Sequence, residues 1–445
     1  MSHHRRTVGL GVLAAALVAG AGLTACSDSS GPERDQDPDA TLEIWIRKPP
    51  GSPTEQTARD LAATFTEQTG VGTEVTALFE DFETKLQQAA AARDLPDIVI
   101  NDTAQLGTLV EQGLVRPVDR AGIEGADSLT PASWDAATGA DGADYAVPFS
   151  AQSFALFIRS DWREAVGAEV PTSWEDLDAL ARQFTTGDPD GDGEDNTYGY
   201  VVPGSTKRGY MSWYLSSFLW SAGGDFLTET GNGYAPAVAS DASVAVLDWF
   251  QRTFCAGFVA PGAVTMETTQ AHPVFESGQA GIYLTGPYMM ARFDENLGKD
   301  KYEVVPLPAG PGGTATSLAE GENVYLMAGS PNQAGQERFA EFAISAEGQT
   351  IGMAGDTAGN IVRLPVNATV GLEAVRTDQR WQVFDQVYKQ AGRYTPAVPE
   401  WTPFRQASAE AFNAIAADCD ADPAAELAEL ATTFAEELDR QGAAA

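Results

Sequence analysis

Asp188-Pro189-Asp190-Gly191-Asp192-Gly193 puts carboxylates at alternate positions of a glycine-rich turn. Oxygens spaced this way can converge on a hard cation such as calcium, and Gly193 permits the sharp turn. The twelfth place of such a loop, normally a bidentate Glu, is Gly199, so Asn196 or Asp195 would have to contribute. The expected set is Asp188, Asp190, Asp192 and Asn196, holding a structural calcium; a solvated acidic turn is the alternative. Cys255 and Cys419 form one disulfide in an oxidising compartment or remain two buried thiols. Catalytic chemistry is thinly represented. With 63 Asp and Glu, a carboxylate pair can always be imagined, so acids alone carry no signal. Histidine is more informative: His3 and His4 belong to the leading segment, which leaves His272 alone. That excludes a histidine-rich metal centre and makes any Ser-His triad depend on one residue. The chain has no Gly-x-Ser-x-Gly elbow, His-Glu-x-x-His or phosphate-binding glycine loop.

The leading segment sets the compartment. Met1–Arg6 carries Arg5 and Arg6, and Val8–Leu23 is apolar or glycine throughout, too short for a comfortable membrane span. It ends in Leu23-Thr24-Ala25-Cys26, which resembles a bacterial lipobox. The Cys26 thiol would receive a diacylglyceryl group, and small Thr24 and Ala25 would fit the peptidase. An ordinary signal peptide is the alternative reading. Residues 1–25 are thus expected to be a signal, and 26–40, rich in Asp, Ser and Pro, a flexible tether. The formal charge is −36, or −38 once Arg5 and Arg6 leave (25 basic against 63 acidic residues). Such a surface repels nucleic acid and anionic lipid, so contact with the membrane is expected through the N-terminal lipid only.

The remaining chain of roughly 400 residues exceeds what one core usually supports. Thr41–Ile46, Val71–Leu78 and Pro96–Ile100 read as strands. Between and after them, Pro53–Thr69, Phe82–Ala92 and Gln105–Gln112 have helical spacing. This alternation predicts an α/β fold with a mostly parallel sheet, where ligands bind beyond the carboxyl ends of strands. Tyr145–Pro148 and Ser153–Ile158 read as two strands, with Ala280–Leu284 and Asn323–Ala328 further on. Helices are expected at Trp174–Phe184, Tyr210–Ala222, Ala242–Cys255, Gln333–Ile344, Asp378–Lys389, Pro403–Ala416 and Pro423–Asp439, with a helix start at His272-Pro273.

The order of several short motifs resembles the extracellular solute-binding proteins of sugar ABC transporters, the maltose-binding protein group. They include Thr69-Gly70-Val71, Asp81-Phe82 with Lys85-Leu86, Pro96-Asp97-Ile98-Val99, and Tyr145-Ala146-Val147-Pro148. Pro171–Leu177, Gly286-Pro287-Tyr288 and Ala346-Glu347-Gly348-Gln349 continue the series. The resemblance implies a two-lobed periplasmic-binding-protein fold (type II-like), each lobe a mostly parallel sheet flanked by helices, with a hinge near Ser150 and Thr316. The N-lobe would be 41–149 and 319–370, and the C-lobe 155–316 and 374–440. It also implies a monomeric binder that needs no cofactor, delivers a small carbohydrate to an ABC permease, and faces outward from the cell membrane. A secreted carbohydrate-active hydrolase and a ligand-binding receptor or adhesin are the competing classes. A polyol or glycerol phosphate is the competing ligand.

A sugar offers apolar ring faces and a rim of hydroxyls, so its site needs aromatic walls and paired polar groups. On the resemblance, Tyr288 takes the place of a stacking tryptophan and Gln152 that of a ligand-binding glutamate. Asn101 and Asp102 follow the third strand, where Ala104 and Gln105 replace the relative's Asp-Arg pair. Trp45 and Arg47 flank the end of the first strand, and Asp81 and Phe82 follow the second. Tyr210 and Trp213 open a helix in the C-lobe region. Glu320 begins the return to the N-lobe, and Trp401 and Arg405 bracket a late aromatic position. Arg47 and Arg405 leave room for a charged or modified sugar.

Overall fold

The computed structural model describes residues 36–231 and 233–445. The signal segment, Cys26 and the first part of the tether lie outside the described residues. The strands are β1 (Leu42–Arg47), β2 (Thr73–Leu78), β3 (Ile98–Asp102), β4 (Val147–Ser153), β5 (Ala155–Arg159), β6 (Tyr198–Tyr200) and β7 (Leu227–Thr230). They continue with β8 (Gly233–Pro236), β9 (Ala280–Thr285), β10 (Tyr302–Val305), β11 (Ser317–Leu326), β12 (Leu364–Pro365) and β13 (Gly392–Arg393). Seven form a large sheet in the order β12-β4-β11-β3-β1-β2, with β13 pairing β11; β10-β5-β9-β6 form a smaller sheet, and β7-β8 a hairpin.

The large sheet is mixed rather than mostly parallel. β1 runs parallel to β2 and β3, whereas β11 is antiparallel to both β3 and β4. The βαβ alternation that forces parallel pairing stops after β3, and the later strands enter from the other direction. The helices follow their sequence signals. Helix Pro53–Thr69 opens with Ser52 accepting the Glu55 N–H and Pro53 in its first turn, and closes on Gly70 at φ +77°. Its Phe65 packs on Phe339 and Phe342, with ring centroids 5.3 and 6.0 Å away.

β4 continues through Phe149–Gln152, where two separate strands were expected. Ladders to β11 and β12 on its two sides pair this segment, polar side chains included. The chain then passes from the large sheet to the small one at a single residue, Phe154, rather than at Ser150. The Ser317 hydroxyl donates to the Phe154 carbonyl (2.8 Å) and accepts from its N–H (3.2 Å), tying the start of β11 to this crossing. β11 itself begins six residues before the expected Asn323, because Gly321 lets it approach β4: a Cβ there would lie 1.9 Å from the Ser150 carbonyl oxygen. Helix Thr268–Glu276 starts before His272-Pro273; Glu267 and Gln270 form its capping box and Pro273 sits inside it.

Residues 36–40 are not loose tether. Asp37 N–H bonds to the Pro331 carbonyl, and the Asn332 carboxamide donates to the Pro38 and Ala40 carbonyls. Cys255 and Cys419 are disulfide-bonded, their Cα atoms 5.8 Å apart. Among the described residues no helix is long and apolar enough to cross a membrane.

Candidate functional site

β11 and β4 present a polar floor. Glu320 pairs with Gln152 and Glu322 with Ser150 in the ladder, and strand alternation puts Glu320 and Glu322 on one face. The register slips between Glu322 and Asn323, a bulge that re-aims the side chains beside it. Gln152 Nε2 donates to Glu320 (3.3 Å), while the buried Gln152 Oε1 has no partner. Burial, then the nearby Asp102 charge, pushes the Glu320 carboxyl up to about 7, against the opposing pull of Trp213, Arg405 and Gln152.

Glu322 is shared by two cations. Lys48, just past β1, donates to its Oε1, and so does Arg363 (2.5 Å). Burial would raise Glu322, but Arg363 and Lys48 hold it below its ordinary range. Burial and Arg363 lower Lys48 to about 8, partly offset by Glu322. Glu322 Oε2 and Arg363 Nε are buried without a partner.

A second ion cluster closes one side. Arg47, at the end of β1, lies 3.2 Å from Asp102 and 3.6 Å from Glu83. Arg208 grips Glu83 through two bonds of 3.0 and 3.1 Å. It belongs to the segment leading into helix Tyr210–Ser221, and its φ of +56° is unusual for a residue with a Cβ. Burial would raise the Asp102 carboxyl; Arg47 and Arg208 hold it down. Arg405, in the first turn of helix Thr402–Ala417, lies against Gly209, where a Cβ would be 2.5 Å from its Cγ.

Aromatic rings complete the enclosure. Trp213 sets its ring edge-on to Phe154 (4.7 Å between centroids) and donates toward Glu320. Half-buried Tyr288 bonds Thr285 through its hydroxyl (3.2 Å), and the Arg363 guanidinium lies 5.8 Å from its ring. Gly286 makes room for it, since a Cβ there would sit 2.3 Å from the Tyr288 ring. Burial raises the Tyr288 hydroxyl to about 12. Tyr210 is within electrostatic reach of Arg47 and Tyr288.

Eight of the expected positions therefore converge: Arg47, Asp102, Gln152, Tyr210, Trp213, Tyr288, Glu320 and Arg405. The others have different surroundings. Phe82 is fully buried, and Trp45 packs on it edge-on with its indole N–H on Glu43. Asp81 is exposed and pairs with Lys85 (3.3 Å). Asn101 is buried, its Oδ1 accepting the Asp102 N–H (2.8 Å). Trp401 is a core residue between Phe226 and Phe404.

Sequence reading missed Lys48, Glu83, Arg208, Glu322 and Arg363. Two had a usable signal: Lys48 follows Arg47 off the end of β1, and Glu322 is one strand period from Glu320. Arg208 and Arg363 sit in irregular segments with no pattern to mark them. Beside the cluster opens a cavity of about 800 Å³. Its lining includes Thr103, Ala104, Asp135, Tyr234, Tyr394 and Trp401. None of the eight converging residues lines it; its lining comes next to them in the chain at Thr103, which follows Asp102, and at Trp401, one helical turn from Arg405. His272 is elsewhere in the smaller sheet's core, buried, with Nδ1 3.1 Å from the Tyr283 hydroxyl, and burial lowers its pKa to about 3.

In the acidic loop, Asp188, Asp190 and Asp192 bring one carboxylate oxygen each within 4.8 Å of one another, all exposed. Asn196 is turned to Asp192 (2.9 Å), and Gly193 has φ +82°. Three convergent carboxylates fit one side of a calcium shell. Gly199 supplies no oxygen from a side chain, and its N–H bonds the Thr185 hydroxyl (3.0 Å).

Residues 51–350 match the family model of bacterial extracellular solute-binding proteins. The chain belongs to that family. A binding protein of Brucella abortus (strain 2308) is 21% identical over 333 residues, 74% of this chain and 77% of that protein. The GacH receptor of Streptomyces glaucescens, solved unliganded and with acarbose, superposes with a TM-score of 0.76 at 20% identity, over 90% of this chain and 98% of that one. A solute-binding protein from Thermotoga lettingae, bound with α-D-tagatose, gives 0.76 at 20% identity, over 89% and 99%. Both share the two-lobed fold, which the family member described here has as well. The relatives are binding proteins rather than enzymes.

Proposed function

We propose that this chain is the substrate-binding component of an ABC importer, that it captures a saccharide between its lobes, and that it hands the saccharide to a membrane permease. The observation that carries this reading is the meeting of Gln152 and Glu320 from the large sheet with Trp213 and Tyr288 from the half that holds the smaller sheet, beside an open cavity of about 800 Å³. Aromatic rings can take a sugar's apolar faces, while unpartnered polar atoms such as Gln152 Oε1 can take its hydroxyls. Acarbose and α-D-tagatose, bound by the two structural neighbours, are of that chemical kind.

In this reading the N-lobe is 41–149 with 319–370 and the C-lobe 155–316 with 374–440, the rest of β4 to Ser153 and the start of β11 at Ser317 falling on the N-lobe side of the Phe154 crossing. Ligand contacts drawn from both sides favour the closed form by their differential affinity, and the permease reopens it. Cys26 carries the lipid that anchors a monomer to the outer face of the membrane, and the reaction cycle is free of catalysis. The Asp188, Asp190 and Asp192 loop holds a structural calcium.

A thermal-shift screen over maltose, trehalose, cello-, xylo- and chito-oligosaccharides, polyols and glycerol phosphates tests the binding role. A ligand that binds only the native state raises Tm with concentration. No shift with any of them, or steady turnover of a glycoside, contradicts it.

A further inference from the structure

The charge balance of the site runs against that of the chain. Overall, 27 Lys and Arg face 63 Asp and Glu. At the site, five cations (Arg47, Lys48, Arg208, Arg363 and Arg405) stand among four carboxylates (Glu83, Asp102, Glu320 and Glu322). Those carboxylates are unevenly shared. Glu83 and Asp102 are taken by Arg47 and Arg208. Glu322 alone serves both Lys48 and Arg363. Glu320 is hydrogen-bonded to Gln152 and crowded by the Asp102 charge.

Arg405 is the cation left over. Among the described residues it has no carboxylate in ion-pair contact, and burial together with the nearby Arg208 charge works against its protonated form, outweighing the more distant Glu320, Asp102 and Glu83 charges. A half-buried guanidinium beside a second one calls for a counter-charge. A further donor points the same way: Nε of Arg363 is buried with no hydrogen-bond partner, whereas Nε of Arg47, also without one, already faces the Glu83 carboxylate at 3.6 Å. A neutral hydroxyl can accept from such a group, but a carboxylate or phosphate oxygen accepts more strongly and fits the guanidinium fork.

Building on the sugar-binding reading above, we infer that the saccharide bears a negative charge, a uronic-acid carboxylate or a phosphate, held by Arg405 and the buried guanidinium N–H of Arg363. The rest of the molecule extends along the aromatic wall and into the neighbouring cavity.

Calorimetric titration of the folded chain with digalacturonate and trigalacturonate, each against its methyl ester, tests the carboxylate source. Glucose 6-phosphate against glucose tests the phosphate source. Each comparison keeps the sugar and adds or removes its anionic group, the ester by adding a methyl and the glucose pair by removing the phosphate. The charged member of at least one comparison is expected to bind at least about tenfold tighter than its neutral twin, with the ratio shrinking as salt rises. Arg405→Gln should bring the ratio toward one. If that variant does not fold, the salt dependence of the wild-type ratio serves in its place. Neutral twins that bind as tightly or tighter in every comparison overturn this inference and leave the sugar-binding reading standing. If none of these probes and none of the neutral saccharides in the thermal-shift panel binds, both fall.

Discussion

Arg208 and Glu83 face each other fork to carboxylate, at 3.0 and 3.1 Å, joining the approach to helix Tyr210–Ser221 to the first turn of helix Phe82–Ala92. One residue belongs to the stretch between the strands of the smaller sheet, the other to the βαβ part of the large sheet. The pair therefore spans the proposed boundary between lobes, where it would act as a latch. Both side chains are partly exposed, so its net stabilisation is small, about 0–1 kcal/mol. Arg208→Ala should leave Tm within a few degrees of wild type. It should also raise the radius of gyration of the unliganded protein in small-angle scattering. An unchanged scattering curve would remove the latch.

The Glu320 carboxyl gives a pH signature. Burial and Asp102 raise its folded pKa to about 7 from 4.5, with Arg405, Gln152 and Trp213 acting the other way. The folded state thus holds the proton more tightly than the unfolded one. Its stabilising contribution is full below about pH 4.5 and is lost as pH rises to about 7. Wild-type Tm should fall relative to Glu320→Gln between pH 5 and pH 8. Parallel Tm curves across that range would show that Glu320 titrates normally.

The Cys255–Cys419 bond closes a span of 164 residues. Replacing both by Ser should cost about 2–5 kcal/mol of stability, measured by denaturant unfolding. Ligand affinity should be retained, because Arg405 lies near the opposite end of helix Thr402–Ala417, about 20 Å away at the helical rise. A loss of affinity as large as the loss of stability would tie the bond to the site.

If the Asp188 loop holds calcium, Tm should rise with added calcium and fall with a chelator. The stabilisation should reach about 2.7 kcal/mol at a hundredfold excess over Kd. Asp190→Asn with Asp192→Asn should abolish the response without changing saccharide affinity. A chelator-insensitive Tm at every calcium concentration would leave the loop a solvated turn.

Much of the fold was legible because its signals are local. The Ser52-Pro53 start and Gly70 stop of the first helix, and the apolar alternation of β1, need no tertiary knowledge. The failures share a cause. β4 through Phe149–Gln152 and the early start of β11 depend on cross-strand pairing and on Gly321 fitting under the Ser150 carbonyl, which no window along the chain reveals. At the site, the expected return of the chain to the N-lobe led to Glu320, and strand ends led to Arg47 and Asp102. The same logic drew in Phe82 and Asn101, which face the core or their own backbone. Arg208 and Arg363 are brought to the cluster only by tertiary folding.

The most direct test is calorimetric titration of the best saccharide into wild type, Gln152→Ala and Trp213→Ala. Each variant should bind at least about tenfold more weakly at unchanged stoichiometry, since each removes a ring face or leaves a buried polar group unpaired. Affinities equal to wild type in both variants would put the ligand elsewhere and contradict the assignment of this cluster as its site.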